Sequence, residues 1–198
     1  VGSVATTALS NGNYVVRSSN WDNGAITNAG AVTWGTGTTG VVGEVSAVHS
    51  MVGSHASAKG VVGGIPALSN GNYVVSSEFW DNGGTVDAGA VTWGSGTTGV
   101  KGLVSITNSL HGSTASDRVG NGSVTALTNG NYVVRSSIWD NGTIANVGAV
   151  TWGNGTTGVT GVVSSVNSLI GSKASDQVGS SGVTALTNGN YVVRSSNW

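Results

Sequence analysis

The chain has 198 residues, of which seven are basic and eight are acidic, so its formal net charge is −1. This sparse charge excludes a basic nucleic-acid face and a polybasic membrane patch, because both depend on clustered Lys and Arg. The chain has no cysteine, which excludes disulfides and thiolate metal sites, and no apolar run approaches the roughly 20 residues that span a bilayer. We therefore expect no nucleic-acid partner and no membrane insertion.

A period of 59 residues organises the whole chain. The segment Leu-Thr-Asn-Gly-Asn-Tyr-Val-Val-Arg-Ser-Ser-Ile-Trp-Asp-Asn-Gly occupies 127–142, and counterparts begin at Leu9, Leu68 and Leu186. Similar segments at a fixed spacing are the sequence signature of a repeat protein. The predicted units are unit 1 (1–59), unit 2 (60–118), unit 3 (119–177) and a partial unit 4 (178–198) that holds the first hairpin alone.

Each unit is predicted to contain four strands and no helix. The Asn129-Gly130 pair favours a tight hairpin turn between the first two strands. A longer loop follows Trp139, and a glycine-rich turn at 153–158 lacks the Lys and following helix of a phosphate-binding loop. In unit 3 the predicted strands occupy 124–127, 132–136, 148–152 and part of 159–169.

The second and third strands are apolar on both of their alternating faces. Val133-Val134 and 149–152 are continuous apolar runs of this kind. Such runs indicate strands that are buried on both sides. A four-stranded sheet packed between two copies of itself meets that need, as in a propeller blade. We therefore predict an all-β, β-propeller-like fold with four-stranded blades of about 59 residues, with a β-solenoid as the alternative.

The hairpin of unit 4 lacks the third and fourth strands of its unit. An incomplete ring exposes strand edges and apolar sheet faces. We therefore expect copies of the chain to associate, either to close a ring or to extend an array.

Three motifs of the unit resemble the tandem repeats of large bacterial surface proteins of the filamentous-haemagglutinin or adhesin type. They are L-[ST]-N-G-N-Y-V-V-x-S-x-x-W-D-N-G, G-A-V-T-W-G-x-G-T-T-G-V and S-x-x-G-S-x-A-S. The resemblance covers the whole chain and implies an extracellular or cell-surface location. It also implies a structural or adhesive scaffold role and supplies no residue roles.

The loop after the second strand contains the candidate ligand-binding residues. An aromatic ring beside a carboxylate and an amide can hold a sugar, and one shallow site per blade would give multivalent, lectin-like binding. The alternative interpretation is that Trp packs beneath the loop while Asp accepts a hydrogen bond from its own backbone. These residues are Trp21, Asp22, Asn23, Trp80, Asp81, Asn82, Trp139, Asp140 and Asn141.

Four other sets of residues recur in register. The third-strand residues Trp34, Trp93 and Trp152 are expected to pack in the core, and Tyr14, Tyr73, Tyr132 and Tyr191 to pack with their hydroxyls at the rim. Arg17, Arg135 and Arg194 share a register, with Ser76 in unit 2, and are expected to be solvated at the surface or paired with a neighbouring carboxylate. Asp117 and Asp176 share a register with Ala58 of unit 1.

No catalytic or metal-binding constellation is predicted. His49, His55 and His111 share no register, so they are interpreted as surface residues rather than as parts of a triad or zinc site. Asp81, Asn82 and Asp87 offer oxygen ligands for calcium but do not match the EF-hand spacing. We expect no enzymatic activity, no metal and no cofactor.

Overall fold

The computed structural model describes residues 5–56 and 64–198. Within these ranges the chain forms fifteen strands and no helix, which confirms the all-β prediction. No helix of the described chain is therefore long and apolar enough to cross a membrane. The predicted boundary between units 1 and 2, and Ala58, lie outside the described residues.

The strands follow the repeat. Unit 1 contains β1 (Ala5–Ala8), β2 (Tyr14–Ser18), β3 (Ala31–Gly35) and β4 (Ser50–Val52). Unit 2 contains β5 (Tyr73–Ser77), β6 (Ala90–Gly94), β7 (Gly102–Leu103) and β8 (Ser109–His111). Unit 3 contains β9 (Val124–Ala126), β10 (Tyr132–Ser136), β11 (Ala149–Gly153), β12 (Gly161–Val162) and β13 (Ser168–Ile170). Unit 4 contains β14 (Gly182–Ala185) and β15 (Tyr191–Arg194).

Each complete unit builds an antiparallel meander, with β1, β2, β3 and β4 adjacent in chain order in unit 1. The predicted second strand at 132–136 coincides with β10, and the third is shifted by one residue in β11. The fourth strand, β13, lies at the end of the range predicted for it. In unit 2 the first strand is reduced to a single bridge between Ala67 and Tyr73.

The predicted Asn-Gly hairpin turn is present in all four units. In unit 3 the Leu127 amide donates to the Asn131 carbonyl at 2.8 Å, and the Gly130 amide donates to Leu127 at 3.2 Å. Gly130 has a φ of 85°, a left-handed conformation that glycine adopts without steric cost. Each hairpin turn thus depends on a glycine that can adopt a positive φ.

Two short strands, β7 and β12, join units 2 and 3 to the unit that precedes each of them. β7 of unit 2 pairs in parallel with β4 of unit 1, and β12 of unit 3 pairs in parallel with β8 of unit 2. These pairings enlarge the first two sheets and were not predicted from the sequence. The four sheets have two to five strands, and the described residues show a tandem arrangement without a closed barrel or ring.

The apolar core lies between consecutive units. Val74 packs in a cluster with unit 3, whereas the next residue, Val75, packs in a cluster with unit 1. We call these two sides of a unit its trailing face, toward the following unit, and its leading face, toward the preceding unit. Val133 and Val134 repeat the division in unit 3, and all four side chains are 0% exposed. The prediction that these strands are buried on both sides is therefore confirmed.

Candidate functional site

The Trp-Asp-Asn loop is a compact backbone structure closed by its own hydrogen bonds. In unit 3 the Trp139 carbonyl accepts from the Gly148 amide at 3.0 Å. Asn141 and Ile144 exchange two backbone hydrogen bonds at 3.0 and 3.1 Å. The same three bonds occur in units 1 and 2, so the loop has one conformation throughout the described chain.

The aspartate of the loop accepts a hydrogen bond from the backbone amide six residues later. The distance is 2.6 Å from Asp22 to Asn28, 2.8 Å from Asp81 to Asp87 and 2.7 Å from Asp140 to Asn146. The donor residues have φ values of 51°, 53° and 52°. Asn and Asp tolerate this left-handed conformation better than most residues. One carboxylate oxygen of each loop therefore fixes a turn.

The tryptophan rings of units 2 and 3 are buried in the core between units. Trp80 is 4% exposed and Trp139 is 3% exposed, and each belongs to a cluster shared with the preceding unit. Their indole Nε1 atoms have no hydrogen-bond partner among the described residues. Trp21 belongs to unit 1, whose leading face meets no described unit, and it is half-buried. The Trp80 and Trp139 rings therefore lie where a sugar could reach them only if the units separated.

The asparagines are the third set of predicted ligand-binding residues in the loops. The Nδ2 atoms of Asn23 and Asn82 point to the Gly53 and Gly112 carbonyls at 3.5 and 3.4 Å, and Asn141 is exposed. Each loop thus contains Trp, Asp and Asn, but ring and carboxylate are engaged in the fold. The geometry gives these residues structural contacts, and sugar binding through them stays a prediction.

A second constellation, which the sequence analysis missed, joins consecutive units. The Gly96 carbonyl of unit 2 accepts three side-chain donors from unit 1. They are Asn11 Nδ2 at 2.8 Å, Asn13 Nδ2 at 2.8 Å and Trp34 Nε1 at 2.9 Å. The Gly155 carbonyl of unit 3 accepts the equivalent donors of unit 2, which are Asn70 and Asn72 at 2.8 Å and Trp93 at 3.0 Å. We call this arrangement the carbonyl joint.

The carbonyl joint explains why the third-strand tryptophans are not fully buried in the core. They were predicted to pack in the core, but Trp34 and Trp93 are half-buried and reach the next unit. Trp152 is 43% exposed, because the described chain places no equivalent glycine turn against it. A repeated aromatic residue beside Val and Thr predicts burial, but it does not reveal that the covering surface belongs to another unit.

Tyr73 and Tyr132 are buried, although their hydroxyls were predicted to lie at the rim. The Tyr73 and Tyr132 hydroxyls accept the Val100 and Val159 amides at 3.1 and 3.2 Å. Burial raises the pKa of both phenols to about 12. An ideal Cβ on Gly94, which lies opposite Tyr73 in the sheet, would come 2.3 Å from the Tyr73 ring. Glycine is required there because the ring covers its backbone.

Asp117 is a buried carboxylate in the closing loop of unit 2. Its Oδ2 accepts the Ser113 and Thr114 amides at 2.8 and 2.7 Å, and its Oδ1 accepts the Asp140 amide of unit 3 at 3.0 Å. Burial raises the pKa of Asp117, although the three amides act in the opposite direction. At Asp176 the Lys173 and Ser172 amides instead lower the carboxyl pKa.

Arg135 makes specific contacts where a solvated arginine was predicted. It is half-buried, and its Nε donates to the Gly122 carbonyl. Its Nη1 donates to the Gly179 and Ser180 carbonyls of unit 4 at 2.9 and 3.1 Å. Burial lowers the pKa of the guanidinium. The recurrence of Arg at this register was the available signal for a shared role.

The histidine prediction is partly wrong, because His111 is 5% exposed. Its ring packs edge-on against Trp80, with centroids 6.2 Å apart, and its Nδ1 lies 3.0 Å from the Gly112 carbonyl oxygen. His49 is exposed, as predicted.

The candidate calcium ligands have protein partners. Asp81 accepts the Asp87 amide at 2.8 Å, and the Asp87 carboxylate pairs with Arg118 at 3.1 Å. In the part of the chain that is described, no group of three or more His, Asp or Glu residues could hold a metal ion.

Comparison with known families supports the repeat. A family model described as a repeat of unknown function (DUF5650) matches residues 8–62, 67–121, 126–180 and 185–198. The matches begin at equivalent residues of the four units, Ala8, Ala67, Ala126 and Ala185, which confirms the tandem repeat. No curated protein matches the chain.

Proposed function

We propose that this chain, which belongs to the DUF5650 family of repeats, is a non-catalytic scaffold whose units stack into a stiff β array outside a bacterial cell. The carbonyl joint is the observation that supports this function best. Its donors and acceptor recur at equivalent positions, and its geometry differs by no more than 0.1 Å between the two joints. These recurrent side-chain donors thus bind the neighbouring unit.

An open stack agrees better with the inter-unit contacts than a closed propeller does. The parallel pairing of β7 with β4 continues the sheet of one unit into the next. Turns of neighbouring units are also adjacent, since Ser10 Oγ donates to the Ser69 carbonyl at 3.2 Å and Ser69 Oγ to the Thr128 carbonyl at 3.2 Å. Such ladders along the repeat are typical of solenoids, in which each unit contacts only its neighbours. We therefore favour the predicted β-solenoid alternative.

Self-association follows from the same contacts. The Gly37 carbonyl belongs to an exposed residue, whereas the equivalent Gly96 and Gly155 are buried in joints. At the other end, Asn131 Nδ2 and Trp152 Nε1 are equivalent to joint donors but have no acceptor in the described chain. The two surfaces are complementary, and the partner we propose for them is a further unit of the same family.

The proposed location and adhesive role depend on the resemblance to bacterial surface repeats. Antibodies raised against the array should label intact cells of the source organism without permeabilisation. Labelling that requires permeabilisation would contradict the extracellular location.

The scaffold proposal is tested by changing the number of units. Chains with two, three, four and five complete units should show a maximum dimension in small-angle scattering that grows by a constant step per unit. The free energy of unfolding measured in urea should increase with each added unit, because each addition forms one more interface. A dimension that stops growing at a fixed number of units would indicate ring closure and contradict the open stack.

A further inference from the structure

Unit 2 differs from the other units at the position of the recurrent arginine. Arg17, Arg135 and Arg194 share this register, and Ser76 occupies it in unit 2. In unit 3 the Arg135 guanidinium bonds to three backbone carbonyls, those of Gly122, Gly179 and Ser180. The fold therefore surrounds this register with hydrogen-bond acceptors, and unit 2 has a serine rather than an arginine at this position.

An open cavity of about 420 Å³ lies at this place in unit 2. Volumes of this order are usual for small-molecule sites. Its lining includes the start of unit 2, the Ser76 strand and the start of unit 3, represented by Ile65, Pro66, Ser76, Glu78, Gly120 and Asn121. The cavity thus corresponds to the surroundings of Arg135 one repeat later.

A second substitution changes the charge of the same cavity. Glu78 lines it, whereas the other units have serine at the equivalent positions, Ser19, Ser137 and Ser196. Unit 2 therefore lacks a cation at one position and carries an anion two residues later. These paired changes replace a guanidinium with a carboxylate in this part of the unit. Arg118 interacts electrostatically with Glu78, but its ion pair is with Asp87 at 3.1 Å.

The acceptors that meet Arg135 in unit 3 have counterparts in the cavity. Gly120 and Asn121 are equivalent to Gly179 and Ser180. The Gly120 carbonyl accepts the Ser76 hydroxyl at 3.2 Å, a bond that rotation of the hydroxyl can release. The Asn121 carbonyl accepts no backbone or side-chain hydrogen bond from the described residues. Gly63, the equivalent of Gly122, lies outside the described residues.

We propose that this cavity binds a guanidinium group supplied from outside the chain, in the place that Arg135 occupies in unit 3. Backbone carbonyls would accept its N–H groups, and the Glu78 carboxylate would add a charge-assisted contact. A planar guanidinium offers donors in a fixed fork, which suits several acceptors better than the compact ammonium of lysine does. The ligand class is therefore arginine-like, either a free molecule or the side chain of a partner polypeptide.

Calorimetric titration of the full chain with agmatine tests the proposal. Saturable binding at one site is expected, and it should be lost in Ser76→Arg, which restores the residue of the other units. Glu78→Gln should weaken binding by about tenfold, the loss expected for one hydrogen bond to a charged group. Cadaverine, an ammonium control, should bind at least about tenfold more weakly than agmatine. No saturable agmatine binding, or equal binding to Ser76→Arg, would overturn the proposal.

A transplanted site gives an independent test. The double variant R135S/S137E gives unit 3 the two residues that distinguish unit 2, and its agmatine stoichiometry should rise from one to two. Circular dichroism verifies that the variant is folded, and if it is not, Ser76→Arg alone decides the proposal. Titration with a capped Gly-Arg-Gly peptide distinguishes the two sources of the guanidinium group. If the peptide binds more tightly than agmatine, the ligand is the side chain of a partner polypeptide, and if it binds more weakly, the ligand is a free molecule. A folded double variant whose stoichiometry stays at one would contradict the assigned determinants.

Discussion

The carboxylate of Asp117 accepts the backbone amide of Asp140 at 3.0 Å, and this bond joins two repeats. Asp117 lies in the closing loop of unit 2, whereas Asp140 belongs to the Trp-Asp-Asn loop of unit 3. The same Asp140 uses its own carboxylate to hold the Asn146 amide at 2.7 Å. The loop therefore donates a backbone hydrogen bond to the preceding unit, and its aspartate side chain accepts the hydrogen bond that closes its own turn.

Removal of this carboxylate should weaken the interface between units 2 and 3. Asp117→Ala leaves three backbone amides without their acceptor, so we expect the free energy of unfolding to fall by about 3 kcal/mol. Asp176→Ala is the matched control, because Asp176 accepts only two amides and both lie in its own loop. Urea unfolding followed by circular dichroism measures both variants, and a larger loss in the control would contradict the inter-unit role.

The two equivalent aspartates should respond to pH in opposite senses. Burial raises the pKa of Asp117 above the ordinary value of 3.8, and backbone amides lower that of Asp176 below it. The stability linked to Asp117 is therefore fully present below the unfolded pKa and is lost as the pH rises through the folded pKa. The stability linked to Asp176 is present above the unfolded pKa and is lost as the pH falls through the folded pKa.

Carboxyl-carbon NMR titration of the native chain measures these two groups directly. The midpoint of Asp117 should lie above 3.8 and that of Asp176 below it. Coincident midpoints would mean that the burial of Asp117 between units does not affect its ionisation.

The Trp-Asp-Asn loop should contribute to stability according to the burial of its ring. Trp139 is 3% exposed, so Trp139→Ala should lower the free energy of unfolding by about 3–5 kcal/mol. Trp21→Ala, at the half-buried equivalent, should cost about 1–2 kcal/mol. Equal losses in chemical denaturation would indicate that the preceding unit does not cover Trp139.

Local features of the unit could be predicted because they depend on nearby residues. The Asn129-Gly130 turn and the apolar run after Tyr132 were enough to place β10. The alternating faces of Val133 and Val134 also predicted burial on both sides. These properties follow from turn chemistry and strand geometry within a few residues.

Contacts between units could not be predicted in this way. Trp34 and Gly96 are 62 residues apart, and neither carries a local signal for the other. β12 falls within the range predicted for the fourth strand, but its partner is in the preceding unit. The sequence left both a sugar site and a packed ring open for the Trp80 loop, because only tertiary packing places another unit over the ring.

The glycine of the carbonyl joint should tolerate no side chain. An ideal Cβ on Gly96 would lie 1.7 Å from the Gly71 carbonyl oxygen, so Gly96→Ala should cost about 3 kcal/mol of unfolding free energy. Gly84→Ala is the control, since no atom lies within 4 Å of its ideal Cβ and Ala25 occupies the register in unit 1. The control should change stability by less than about 0.5 kcal/mol in thermal or urea unfolding. A harmless Gly96→Ala would show that the Gly96 turn does not lie closely against the Gly71 turn of the same unit.

The third-strand tryptophan of one unit binds the next unit through its indole N–H. Trp93→Phe removes the donor to the Gly155 carbonyl, whereas Trp152→Phe removes an indole that has no such acceptor in the described chain. Urea denaturation of the two variants should show a loss of about 1 kcal/mol for Trp93→Phe and less than about 0.5 kcal/mol for Trp152→Phe. Equal losses, or a larger loss for Trp152→Phe, would contradict the carbonyl joint as the link between repeats.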